Sequence, residues 1–70
     1  MINYKLFDLD DIYYIRVKYI NRSTSRQYQL VNKNTMQIVL KIANDVNSFF
    51  DKVSKKARLT SDIKQNIKEF

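Results

Sequence analysis

None of the 70 residues of this chain is glycine or proline. Every turn must be made without the residue that enters positive φ freely and without the one that presets φ near −65°. Asn, Asp, Ser and Thr are the turn formers that remain. They cluster at Asp8–Asp11, Asn21–Ser25, Asn32–Asn34 and Thr60–Asp62, which divides the chain into short elements.

Between these breaks, period and residue type set the expected structure. Residues 2–7 alternate Ile2, Tyr4 and Leu6 with Asn3 and Lys5, a period of two that predicts a short strand. Residues 12–20 are rich in β-branched and aromatic types; Tyr13, Ile15, Val17 and Tyr19 fall on one face, Tyr14, Arg16 and Lys18 on the other. Residues 26–31 put Tyr28 and Leu30 opposite Gln27, Gln29 and Val31. These three strands predict an antiparallel sheet with one apolar face.

Helical spacing follows. Asn34, with Gln37 three residues on, resembles a capping box. Val39, Ile42, Ala43, Val46, Phe49, Phe50, Val53 and Ala57 recur at intervals of three and four, which predicts one amphipathic helix over 35–57. Ile63, Ile67 and Phe70 mark a short terminal helix over 61–69. The expected fold is α+β in one small domain over 1–70: a three-stranded antiparallel sheet packed on a long helix, with a short C-terminal helix. A helix over 35–57 would be about 35 Å long, against a diameter of about 28 Å for a domain of this size. It would overhang its sheet, and either the short terminal helix folds back to cover the excess or a second subunit does; of the two, a homodimer is the expectation. A chain this short is marginally stable, and without Cys or His it has neither disulfides nor the usual soft metal ligands to compensate. Of Phe49 and Phe50, about 100° apart on a helix, one is expected in the core and the other at its margin.

The composition argues against catalysis. No His and no Cys means that the commonest general base and the strongest nucleophile are missing. A glycine-rich phosphate loop is ruled out. Asp8, Asp10 and Asp11 could hold a hard cation, but Asp is also a preferred turn residue, and a solvated turn is the simpler reading. No cofactor and no metal are expected. No apolar run approaches a membrane span, and the first residues lack the pattern of a signal peptide, so a cytoplasmic protein is expected.

Charge layout is the most informative feature. No acid occurs from Ile12 to Asn44, while Arg16, Lys18, Arg22, Arg26, Lys33 and Lys41 all lie there, so that stretch carries +6. Residues 1–11 carry net −2 and residues 45–70 net +2. Arg and Lys neutralise phosphates, and an exposed Tyr can stack on a base. The expected function is therefore a small nucleic-acid-binding or regulatory protein. The richness in Lys, Asn and Ile suggests an AT-rich genome, and with it a phage or mobile element. The interface is expected at Tyr14, Arg16, Lys18, Arg22, Arg26 and Lys33. The alternative is a protein–protein inhibitor or adaptor, for example a phage factor that blocks a host or defence protein. The expected order of three strands and a helix is similar, in topology only, to the arm-DNA-binding domains of phage and transposon integrases, which read DNA with the sheet. Their glycine-containing turn and aromatic-basic signature do not occur in this sequence.

Overall fold

The computed structural model describes residues 2–20 and 24–70. Four strands come first: β1 (Ile2–Asp8), β2 (Tyr13–Ile20), β3 (Arg26–Asn32) and β4 (Ile38–Ala43). Two helices follow, α1 (Val46–Ser54) and α2 (Ser61–Glu69). The strands form one antiparallel sheet in the order β1-β2-β3-β4, each pairing with its neighbours in sequence. No helix among the described residues is long and apolar enough to cross a membrane.

Turns without glycine are built from side chains. Asp10 Oδ1 accepts the Ile12 and Tyr13 N–H groups, at 2.8 and 2.7 Å, and so closes the β1–β2 turn. Asn32 Oδ1 accepts the Asn34 and Thr35 N–H groups in the β3–β4 turn. Among the described residues two positions enter positive φ, Met36 at 60° and Asn44 at 61°. Asn tolerates that region through its short polar side chain; Met gains no such help. Asn44 Oδ1 accepts the Arg26 N–H at 2.9 Å, and the Asn44 N–H donates to the Arg26 carbonyl at 2.8 Å. Asn44 thus ends β4 and turns the chain toward α1.

The long helix over 35–57 is overturned, and with it the three-stranded sheet. Residues 38–43 form a fourth strand, and the helix proper spans nine residues from Val46 to Ser54. Two left-handed residues, Met36 and Asn44, break any continuous helix through this region. Its N-cap is Asp45, whose Oδ1 accepts the Ser48 N–H at 3.1 Å; Asn34 sits in a turn instead. At about 13 Å, α1 does not overhang the sheet, so the expectation of a dimer on that ground falls. The likeness to integrase arm domains rested on the same three strands and helix and falls too.

Both helices cover the same sheet face. Ile15, Val17, Tyr28, Leu30, Phe49, Phe50, Val53 and Ile67 make the buried core, with Phe7, Leu40, Ile42, Ile63 and Phe70 packed at its edges. α1 lies against β3 and β4. At the end of α2, the Phe70 ring meets Tyr19 edge-on at 4.7 Å and Phe7 at 6.3 Å, which carries that helix over β1 and β2. Phe49 and Phe50 are both buried, since Phe50 is covered by Lys68 of α2, whose ammonium lies 5.9 Å from the ring. Neither ring is at an exposed margin.

The face assignment of β1 is the second correction. Phe7 pairs with Ile15 and Lys5 with Val17, so the odd residues of β1 share the helix-covered face. Ile2, Tyr4 and Leu6 point to the other side, and they are 53%, 52% and 61% exposed. The sheet therefore carries apolar side chains on both faces.

Candidate functional site on the open sheet face

The face turned away from the helices has no covering layer among the described residues. Strand registers arrange it as rows running from β1 to β4. One row reads Asp8, Tyr14, Val31 and Ile38; the next reads Leu6, Arg16, Gln29 and Lys41; a third reads Tyr4, Lys18, Gln27 and Ala43; and Ile2 stands beside Ile20 at the far end. The ladder shifts between Leu30 and Val31, a bulge that leaves one more residue on β4, Val39, than the pairing needs.

A hydrogen-bonded chain crosses the middle of this face. Gln29 Nε2 donates to Gln27 Oε1 at 3.0 Å, and Arg16 Nε donates to Gln29 Oε1 at 2.8 Å. The Arg16 guanidinium carbon then sits 5.1 Å from the centre of the Tyr4 ring. Gln29 is only 4% exposed, and Val31 only 1% although it lies outside the helix-covered core. This face is thus a second packed surface, with Tyr14 directly across from Val31. A guanidinium held by an amide and an aromatic ring loses little further freedom when a ligand arrives, so less of the binding energy goes into ordering it.

The expected site residues separate into groups. Tyr14, Arg16 and Lys18 share the open face, all on β2. Lys33 does not join them as a free cation: it forms an ion pair with Asp8, and its ammonium also donates to the Asp10 carbonyl. Arg26 is on the opposite face. It pairs with Tyr19, its guanidinium lies 5.3 Å from the Tyr19 ring and 5.2 Å from the Phe70 ring, and it donates to the Ser25 and Phe70 carbonyls. Parity explains this, since Arg26 is two residues from inward-facing Tyr28. Arg22 lies outside the described residues.

Neither a family model, nor a curated protein, nor a solved structure matches this chain. The site is read from its own chemistry.

Lys41 also lies on this face, in β4 and not in the helix that the spacing predicts. Its strand places it across Gln29 from Arg16, about 10 Å away at two strand spacings. Among the described residues no carboxylate pairs with Arg16, Lys18 or Lys41. Asp8, the one acid on this face among the described residues, is paired with Lys33. Three cations without a carboxylate partner, the Gln27 amide and Tyr14 are therefore gathered on one face of the sheet, over a buried Gln29 amide that holds Arg16 and Gln27 in place. Among the described residues no three acids or other ligating groups cluster as for a metal ion; Asp10 is engaged by backbone N–H groups and Asp8 by Lys33.

Proposed function

We propose that this protein is a non-enzymatic binding protein that takes single-stranded nucleic acid across the open face of its sheet. The observation that carries the reading is a set of cations, Arg16, Lys18 and Lys41, that have no carboxylate partner among the described residues, on a face where the one described carboxylate, Asp8, is paired with Lys33. Arg16 and Lys41 are spaced to meet different phosphates of one strand. Tyr14 supplies a ring at one end of the face, and the Gln27 amide, whose Oε1 already accepts from the buried Gln29, keeps its NH2 group for a base edge. A single strand fits this surface better than a duplex, because flat sheets with exposed aromatics engage unstacked bases. A cytoplasmic setting goes with this reading.

Fluorescence anisotropy of labelled oligonucleotides tests it. Single strands are expected to bind at low salt more tightly than duplex, and Arg16→Ala combined with Lys18→Ala should remove most of that affinity while the fold, monitored by circular dichroism, persists. Absence of single-strand binding at low salt overturns the proposal, as does binding unaffected by the double variant. A second reading, a protein partner that the chain inhibits or bridges, draws on exposed Met36, Ile38 and Val39 at the β3–β4 end. A lysate pulldown with and without nuclease separates the two: a stoichiometric protein retained after nuclease and high salt favours the second.

A further inference from the structure

We infer that the cleft between Leu6 and Tyr14 selects guanine in the bound strand, with the Asp8–Lys33 ion pair as the group that reads the base. This rests on the single-strand reading above and adds the base that the face prefers.

The cleft lies on the open face, near the β1–β2 turn. Its volume is about 320 Å³ and it is lined by Leu6, Asp8, Tyr14 and Lys33, close to the lower size of ligand pockets. Strand register places the walls. Asp8 pairs with Tyr14, and Leu6 is the next residue of β1 on the same face, so the Tyr14 ring and the Leu6 side chain border the space while the ion pair borders it on the turn side. Leu6 is well exposed and Tyr14 half-buried, and both give apolar surface to a flat ring. Arg16 stands two residues from Tyr14, about 7 Å along β2, where it can take the phosphate next to a base held in the cleft.

Stacking on Tyr14 does not distinguish bases, because every base has a π-face. Discrimination falls to the polar groups at the rim. A lysine ammonium has three N–H donors. Here one meets Asp8 Oδ1 and one meets the Asp10 carbonyl, which leaves one. Among the described residues Asp8 Oδ2 accepts no hydrogen bond, and Oδ1 keeps a lone pair. The Asp8 side chain is 76% exposed, so a base edge can reach it. As charges the two groups cancel; as a row of hydrogen-bonding atoms they do not.

Read along the pair, Lys33 Nζ, Asp8 Oδ1 and Asp8 Oδ2 offer donor, acceptor, acceptor. The Watson–Crick edge of guanine offers O6, N1–H and the 2-amino group: acceptor, donor, donor. It complements the pair at all three positions. Thymine or uracil meets two and sets its O2 against Oδ2, acceptor facing acceptor. Adenine and cytosine also meet at most two. Unstacked bases in single strands expose these edges, and a bidentate contact of this kind decides which base is preferred.

Anisotropy titrations at low salt, with short thymine strands carrying one central test base, examine this. Guanine at that position should bind about tenfold more tightly than hypoxanthine, which lacks only the 2-amino group, the usual worth of a hydrogen bond to a charged acceptor. Adenine and cytosine should bind no better than hypoxanthine. Asp8→Asn changes a mostly exposed side chain, so the fold should persist. It should abolish the preference for guanine over hypoxanthine while the all-thymine strand binds at least as tightly, because the face loses a negative charge. A purely electrostatic role for Asp8 would shift every strand alike. Equal affinity for all test bases overturns the inference and leaves the single-strand reading standing, whereas failure of every strand to bind overturns both. A guanine preference that survives Asp8→Asn also overturns it. So does guanosine monophosphate that competes as well as the guanine strand, which would assign the cleft to free nucleotides.

Discussion

Lys33 and Lys41 differ by one strand and by one ion pair, and that difference can be weighed. Lys33→Ala and Lys41→Ala lower the net charge of +6 by the same single unit. If total charge governed nucleic-acid binding, the two variants would behave alike. The open face predicts otherwise. Three uncompensated cations meeting three phosphates of a single strand give a slope of log K against log salt of about −2, at about −0.7 per phosphate. A fourfold rise in salt should then weaken binding about 18-fold. Lys41→Ala leaves two contacts, a slope of about −1.4 and a loss of about 7-fold over the same range. Lys33→Ala should keep the slope near −2, because that ammonium is engaged with Asp8 and the Asp10 carbonyl. Its affinity at a given salt should fall modestly, since the Asp8 carboxylate is left uncovered on the same face. The assay is anisotropy titration of one labelled single strand at several potassium chloride concentrations for the three proteins. Equal slopes for the two variants would refute the argument from location and reduce it to net charge.

Three further outcomes test the fold. Phe49→Ala empties the centre of the core, where the native ring is fully buried; a loss of about 3–5 kcal/mol should leave little or no cooperative urea transition in so small a domain. At Asn44, glycine should be better tolerated than alanine by about 1 kcal/mol, because φ near 61° favours the residue without a Cβ; equal denaturant midpoints would refute the assigned backbone. Burial raises the Tyr28 hydroxyl above its ordinary value, with nearby Arg26 opposing. The stability this residue contributes is present below the unfolded tyrosine value of about 10 and is lost as pH rises through the higher folded one. Melting temperatures between neutral pH and pH about 11 should fall less steeply in Tyr28→Phe.

Much of the sheet could be read directly from the residues. Alternation in β2 and β3 put Ile15, Val17, Tyr28 and Leu30 inward and Arg16, Lys18 and Gln29 outward, as they are. β4 was hidden because Leu40 and Ile42 satisfy a period of two, while Val39, Ile42, Ala43 and Val46 also satisfy a helix. The break that decides the matter is Asn44-Asp45, a left-handed residue followed by a cap, and in a chain without glycine that signature is faint. β1 misled for another reason. Ile2, Tyr4 and Leu6 outnumber Phe7, yet register, set by the Asp10 turn, assigns the inward face to Phe7. Within the candidate site, Arg26 and Lys33 could not be sorted from charge alone. One is claimed by two aromatic rings from distant parts of the chain, and the other by a carboxylate 25 positions away in sequence.

Nearest-neighbour strand order has a consequence for how the protein is made. Every strand pair is a local hairpin, so the loops closed during folding are short and their entropy is small. The meander can form in sequence as the chain leaves the ribosome, yet Phe49, Phe50, Val53 and Ile67 arrive only afterwards. Until they do, Ile15, Val17 and Leu30 face water on one side and Tyr4 and Leu6 on the other. A nascent chain halted after Ala43 should therefore be prone to clumping, and ribosome-tethered fragments that stay dispersed would contradict this. Only when both helices have emerged is the inner face of the sheet covered.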